Sequence, residues 1–509
     1  MTLDTPITPR MRALITLSVM LATIMQVIDG TIANVALPHM QGTLSATQDQ
    51  ISWVLTSYIV ASAIATPLTG WAAGHYGRKE VFLVSVVGFT LASVLCGMSS
   101  TLFEIVAARL LQGLFGAALV PLSQAVMLDI NPQEKHAQAM AVWGMGVTIG
   151  PIIGPSLGGW LTDNYSWRWV FYVNVPVGIL AFIGIWACMP KTKKHERPLD
   201  LFGFVTLSLA IGALQMFLDR GDDRDWFSSA EIKLEALVAA LALAYFLVHT
   251  LTVRGTSFFN RRLALDRNFM AGCGFYFVLG AVLYATRALL PPFLQTLMGY
   301  SVLDAGLVTA PSGAGSMLAM MLAGRLVGRF KPRTLIALGF SVSALSLWQM
   351  SRFTLDMDSH LVIVSGFVQG LGLGLISVPL TAASFSTLDP ALRGDGTAIY
   401  SLARNIGSSI GISFMQSELT RHLKVAHAQL AENVSIYNPA AAAWHIDTPT
   451  GLARVEAEVN RQAGMMAYLA DFRLMLLLTV AVMPLLVLMK QAKKRPGAAD
   501  APPPDVAEH

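Results

Sequence analysis

Fourteen stretches of roughly 20 mostly apolar residues follow one another along this chain, more than any soluble core can absorb. They cover 12–37, 51–73, 80–98, 103–127, 137–161, 169–189, 200–219, 232–252, 269–294, 303–325, 332–351, 361–388, 396–417 and 468–490. About 20 helical residues cross the ~30 Å hydrocarbon layer of a bilayer. Without water to satisfy its amides, such a segment must be a helix. Composition agrees: 54% of the 509 residues are hydrophobic and 13% charged, half the ~25% charge of an ordinary soluble domain. The expectation is an all-α polytopic membrane protein in the lipid bilayer, with no nucleic-acid partner. The apolar run at the N-terminus continues through Leu37, longer than a secretory signal core, so it reads as a retained first span. Cys96, Cys188 and Cys273 lie far apart in apolar segments and read as small buried hydrophobes; no metal site is expected.

Lys and Arg in short loops favour the cytoplasmic face. With the N-terminus inside, and basic residues near span ends counted with the adjoining side, 22 of the 35 fall on the cytoplasmic side, ten outside and three (Arg109, Arg287, Arg404) within spans. An even number of spans then puts both termini in the cytoplasm, and the polar segment 418–467 outside. The tail 496–509, rich in Pro and Ala, reads as disordered.

Span 5 contains "GMGVTIGPIIGPSLGGWL", residues 144–161, crowded with residues that cost a helix roughly 1 kcal/mol (Gly) or 3 kcal/mol (Pro). Gly146, Gly150, Gly154 and Gly158 recur every fourth residue, making a ridge free of side chains on which another helix can pack closely. Pro151 and Pro155 run beside it and bend the helix. The expected partner of the ridge is span 10 of the other half. "GWAAGHYGRK" (Gly70–Lys79) follows span 2 and "GRLVGRFKPR" (Gly324–Arg333) follows span 10. Ungapped, they share Gly at positions one and five, an aromatic at seven and a base at ten. Each joins the second and third spans of a six-span unit, which suggests duplication: 1–190 as one half, 263–495 as the other, and 191–262 as a linker with two extra spans. Transporters built this way bind substrate near the midplane between repeats.

These motifs resemble the major facilitator superfamily. "GPIIGPSLGG" is similar to its antiporter signature, and "DGTIANVALP" (Asp29–Pro38) and "WRWVFYVNVPVG" (Trp167–Gly178) are similar to fourteen-span drug:proton antiporters of the EmrB type. The resemblance implies a major facilitator fold and export of hydrophobic compounds against a proton gradient, with no cofactor. It also implies a bacterial inner-membrane location and a periplasmic adaptor with an outer-membrane channel as partners. It makes Gly70, Gly77, Arg78 and the span-5 glycines and prolines conformational motifs, span 5 acting as a hinge or seal. One departure stands out: the loop's fifth position, usually aspartate, is Gly74. Asp129, at the inner end of span 4, is the candidate substitute partner for Arg78.

An ionisable group at membrane depth is a functional hypothesis by default. Asp29 is the one acid expected deep in a span, on a face with Gln26. Burial disfavours a carboxyl's charged form, which suits proton loading from outside and release inside; a structural, hydrogen-bonding Asp is the alternative. Arg109, Gln112, Gly113 and Gly116 form one helical stripe, and the family associates this arginine with proton coupling. Arg404 matches a family arginine; Arg287 is expected to snorkel outward. Candidate substrate contacts are Gln26, Trp53, Tyr58, Gln112, Tyr276, Tyr284 and Arg404. A polytopic lipid enzyme is the competing class, but no HExxH, Cys/His or Ser/His set appears. A dedicated exporter of one metabolite, siderophore or fatty acid remains a rival within transport.

Overall fold

A computed structural model describes residues 8–192, 194, 198–222, 224–253, 260–434, 444 and 448–488. Among the described residues, each of the fourteen apolar stretches is built on a helix, and there is no strand. We number the helical units α1 (Pro9–Thr43), α2 (Trp53–Ala65 with Leu68–His75, bent by 53°), α3 (Arg78–Met98) and α4 (Leu102–Ile130). They continue as α5 (His136–Asn164), α6 (Trp169–Cys188), α7 (Leu201–Arg220), α8 (Ala230–Thr252) and α9 (Arg267–Thr296). The last are α10 (Asp304–Leu326), α11 (Pro332–Met350), α12 (Ser359–Phe385), α13 (Arg393–Ala431) and α14 (Pro449–Val482). Eleven of these are long and apolar enough to cross a bilayer, twelve with the bent α2. The two outside that measure, α11 and α13, turn polar residues inward: Ser343 and Ser346 on α11, Thr397 and Ser401 on α13, are all buried. A helix whose polar side chains face protein does not need an apolar surface all round.

Helices α1–α6 and α9–α14 form the two six-helix halves. The inserted pair α7 and α8 pack on each other, and α7 also lies against α2 and α13, one helix from each half. Thr56 of α2 hydrogen-bonds Asp219, and Ser413 Oγ of α13 donates to the Leu218 carbonyl at 2.8 Å. The inserted pair is therefore a lateral brace across the seam.

The ridge on α5 faces α1 of its own half, not α10. A Cβ at Gly146 would meet Met20, one at Gly154 would meet Thr31, and one at Gly158 would meet Ile32. At Gly150 it would lie 2.5 Å from Val27 Cγ1 and 2.8–2.9 Å from the backbone of Val27 and Ile28. The period of four keeps the glycines on one line, and α1 is the helix that line meets. Another face of α5 packs on α10, where Gly144 meets Met320, Ile152 fills the space at Gly313 and Ala141 lies at Gly324. Small residues thus serve α5 on two sides, as expected where close van der Waals approach drives helix association.

The segment 418–467 is mostly helix. At 1.5 Å per residue, the 39 residues of α13 run to about 58 Å and the 34 of α14 to about 51 Å. Both exceed a ~30 Å hydrocarbon layer. His427 Nε2 lies 3.0 Å from Glu456 Oε1 and His422 Nδ1 lies 3.1 Å from Asp471 Oδ1, tying the two extensions together. The tail 496–509 lies outside the described residues.

Gly150→Ala pushes a methyl into the α1 backbone and should lower the thermal unfolding midpoint by the equivalent of about 1–3 kcal/mol. Gly159→Ala, whose Cβ would find only Val35 Cγ1 at 3.8 Å, should not. Matching midpoints for the two variants would mean that α1 yields freely.

Candidate functional site: a buried ion pair beside a central cavity

Five helices of the first half converge on Asp29, which is 0% exposed, as are Arg109, Gln112 and Ser93. Arg109 Nη1 donates to Asp29 Oδ2 at 2.7 Å and to Gln112 Oε1 at 2.8 Å, while its Nε donates to the Val54 carbonyl at 3.0 Å. Gln112 Nε2 and Asn174 Nδ2 both donate to Asp29 Oδ1, at 2.8 and 2.7 Å, and both reach Ser93 Oγ. The Arg109 guanidinium lies 4.2 Å over the Tyr58 ring, and the Tyr58 hydroxyl accepts from Gln26 Nε2 at 2.9 Å. The stripe on α4 makes this possible. A Cβ at Gly113 would run into the Tyr58 carbonyl, so only glycine lets α2 come close enough for Arg109 to reach across.

A cavity of about 320 Å³ lies between the halves. The first half contributes Gln26 and Thr31 (α1), Ser62 (α2), and Trp143 and Pro151 (α5). The second contributes Tyr276, Tyr284 and Arg287 (α9), Met320 (α10), and Arg404 (α13). A π-helical turn at Gly280–Tyr284 re-aims α9 where it lines the cavity, a common place for such turns. It is held by close backbone packing: Gly280 abuts the Arg404 carbonyl, and Gly407 abuts the Phe277 carbonyl.

Of the candidate substrate contacts, the structure brings Gln26, Tyr276, Tyr284 and Arg404 to the cavity. Tyr58 and Gln112 sit behind it in the Asp29 network. Trp53 lies at the far end of α2, with Arg220 5.5 Å from its ring, and does not line the cavity. Arg287 faces the cavity instead of snorkelling outward; the π turn sits immediately before it and rotates the rest of α9 relative to a regular helix. Asp29 is not the only acid buried in a span, because Asp471 of α14 is also 0% exposed and pairs with His422. Ser93 and Asn174 were not singled out by the sequence. Asn174 offered a signal, an amide inside the apolar "WRWVFYVNVPVG"; Ser93 offered none.

Residues 19–412 match the family model of the Major Facilitator Superfamily. Multidrug export protein EmrB of Escherichia coli (strain K12) is 36% identical over 435 residues, 85% of each chain. The chain belongs to the major facilitator superfamily, as an EmrB-type permease. Fatty acid resistance protein FarB of Neisseria gonorrhoeae is 36% identical over 429 residues, 84% of each chain. Among solved structures, a bacterial homolog of the human lysosomal transporter Spinster, inward-facing and occupied, superposes with a TM-score of 0.59. It covers 96% of this chain and 100% of its own at 16% identity, a likeness of fold alone.

In this EmrB-type permease the loop after α2 joins the halves. Arg78 pairs with Asp129 of α4, and Arg393 of α13 reaches the other carboxylate oxygen at 3.2 Å. Gly70 lies against the Asp395 backbone, where a Cβ would be 2.7 Å from its Cα. Gly77 turns the chain into α3 at φ +103°, a conformation other residues adopt only with strain. With Gly74 carrying no carboxylate, Asp129 is the acid that holds both arginines.

Removing one member of a buried ion pair leaves the other uncompensated, a loss of about 3–5 kcal/mol. Asp29→Ala should destabilise the permease by that order, and the double variant Asp29→Ala/Arg109→Leu should recover part of it. Thermal unfolding of both in the same lipid or detergent decides. A double variant no more stable than Asp29→Ala would mean that Asp29 is not what compensates Arg109.

Proposed function

We propose that the protein is a proton-driven exporter of hydrophobic drugs or toxic compounds, working in the inner membrane of a bacterium with both termini in the cytoplasm. The observation that carries this reading is the chain of contacts from cavity to buried acid: Gln26 lines the cavity, bonds Tyr58, and Tyr58 lies against the Arg109 that pairs with Asp29. A proton and Arg109 compete for one carboxylate. Protonated, Asp29 releases Arg109; deprotonated, it draws Arg109 back, and α1, α2 and α4 move with the choice. A ligand shifts a two-state equilibrium only through its different affinity for the two states, and this pair supplies that difference for the proton. The relatives named for multidrug export favour a transporter over an enzyme. A cavity lined by two halves through varied side chains favours a broad substrate range over a single metabolite.

Asp29→Asn holds the uncharged form permanently. In proteoliposomes with an imposed pH gradient, this variant should lose uphill export, because an uncharged side chain cannot take up and release the proton at this buried site. Substrate binding should change little, since the amide keeps the side chain's size and residue 29 lies behind the cavity lining. Undiminished pH-driven accumulation would remove Asp29 from the coupling step.

The extended α13–α14 hairpin supports a second element of the proposal, docking to a periplasmic adaptor and an outer-membrane channel. Replacing 425–460 with a short Gly/Ser linker is feasible, because the His422–Asp471 contact, outside the replaced segment, holds the flanking helices side by side. Transport in vesicles should persist while resistance of whole cells falls to that of cells lacking the gene. Full resistance in the deletion strain would refute the docking role.

A further inference from the structure

Among the described residues, the central cavity carries positive charge without a counterion. Arg287 and Arg404 line it, and no Asp or Glu does among the described residues. Neither arginine has an ion-pair partner among the described residues. Arg404 reaches the adjacent Asn405 Oδ1, at 3.3–3.4 Å, and lies 5.8 Å from the centre of the Tyr276 ring. Four other arginines of the bundle are matched: Arg109 by Asp29, Arg78 and Arg393 by Asp129, and Arg220 by Glu231 at 2.5 Å. Asp29 does not offset the cavity's charge, because it lies behind the lining and is already engaged by Arg109, Gln112 and Asn174. Charged side chains at membrane depth face a partner, water or a pathway, and here two of them face the same space.

Building on the exporter reading, we propose that this cavity selects lipophilic organic anions: a carboxylate, sulfonate or phenolate head bound between Arg287 and Arg404, and an apolar body against Trp143, Val147, Leu279 and Met320. Guanidinium groups are suited to such heads because their planar donors match two acceptor oxygens at once. A lipophilic cation meets two like charges and no carboxylate, so the same feature acts as discrimination against it. The charge also changes the energetics. Whatever the proton number, exporting an anion moves one more negative charge outward than exporting its neutral analogue, so an inside-negative membrane potential assists it.

The test uses the full chain and three probes of one shape: 2-naphthalenesulfonate, uncharged 2-naphthalenesulfonamide and the 2-naphthyltrimethylammonium cation. Quenching of protein tryptophan fluorescence reports binding, since Trp143 lines the cavity. The sulfonate should bind at least tenfold more tightly than the sulfonamide, and the cation most weakly. In Arg287→Gln/Arg404→Gln this ratio should collapse towards one, while Arg287→Lys/Arg404→Lys should retain a preference for the sulfonate. In proteoliposomes, an inside-negative potential should speed sulfonate export relative to sulfonamide export. Equal affinity for the three probes in the unsubstituted protein, no sulfonate binding, or an undiminished ratio in the double Gln variant overturns the inference. Sulfonamide and cation moving under a pH gradient while the sulfonate does not would defeat anion selection and leave proton-driven export standing. Selective sulfonate binding with no pH-driven movement of any probe would defeat the exporter reading alone.

Discussion

The Asp29–Arg109 pair is the contact on which the first half is organised. In a medium that cannot hydrate them, a carboxylate and a guanidinium must find each other or lose their charge. Here the pair gathers further groups: Gln112 and Asn174 satisfy one carboxylate oxygen, Ser93 accepts from both amides, and the Val54 carbonyl holds Arg109 Nε. Each of these comes from a different stretch of chain, so α1, α2, α3, α4 and α6 are fixed relative to one another by one polar cluster. Any change in the charge of Asp29 bears on all five.

Close packing supplies the other requirement. Lipid tails are as apolar as leucine, so helices in a bilayer associate through van der Waals fit and hydrogen bonds rather than by escape from water. The glycines on α5 bring its backbone against α1, Gly113 brings α4 against α2, and Gly407 and Gly411 bring α13 against α9. These are the helices that carry Asp29, Arg109, Arg287 and Arg404. Glycine contacts this close leave no room for an added methyl, so the helix positions, and with them the distances in the cavity wall, are tightly set.

The two polar centres differ in kind. The pair on the first half is closed upon itself and touches the cavity through Gln26 and Tyr58. The arginines on the second half are open to the cavity. The closed pair and the open arginines therefore lie on different halves, linked by the cavity that both halves line. The Arg78–Asp129–Arg393 cluster and the inserted helix α7 also join the halves.

Fourteen helical segments, their grouping into two sixes and an inserted pair, the buried acid and its arginine were legible in the chain itself. The reason is that a bilayer imposes length and hydropathy locally, and a charge inside such a run is conspicuous wherever it stands. Partners were not legible in the same way. The period of four at Gly146–Gly158 announced a packing ridge but not that α1, rather than α10, would lie on it, because a ridge of missing side chains carries no address. Arg287, expected to snorkel outward, faces the cavity instead, and the π turn at Gly280–Tyr284 rotates the residues after it. Ser93 and Asp471 joined buried networks only because distant residues, Asn174 and His422, arrived beside them. What the sequence alone determined is which residues are compelled to leave the lipid. Which of them end up paired, and which are left facing an open cavity, was decided by the tertiary structure, since hydrogen bonds and charges act over a few ångströms and only folding sets those distances.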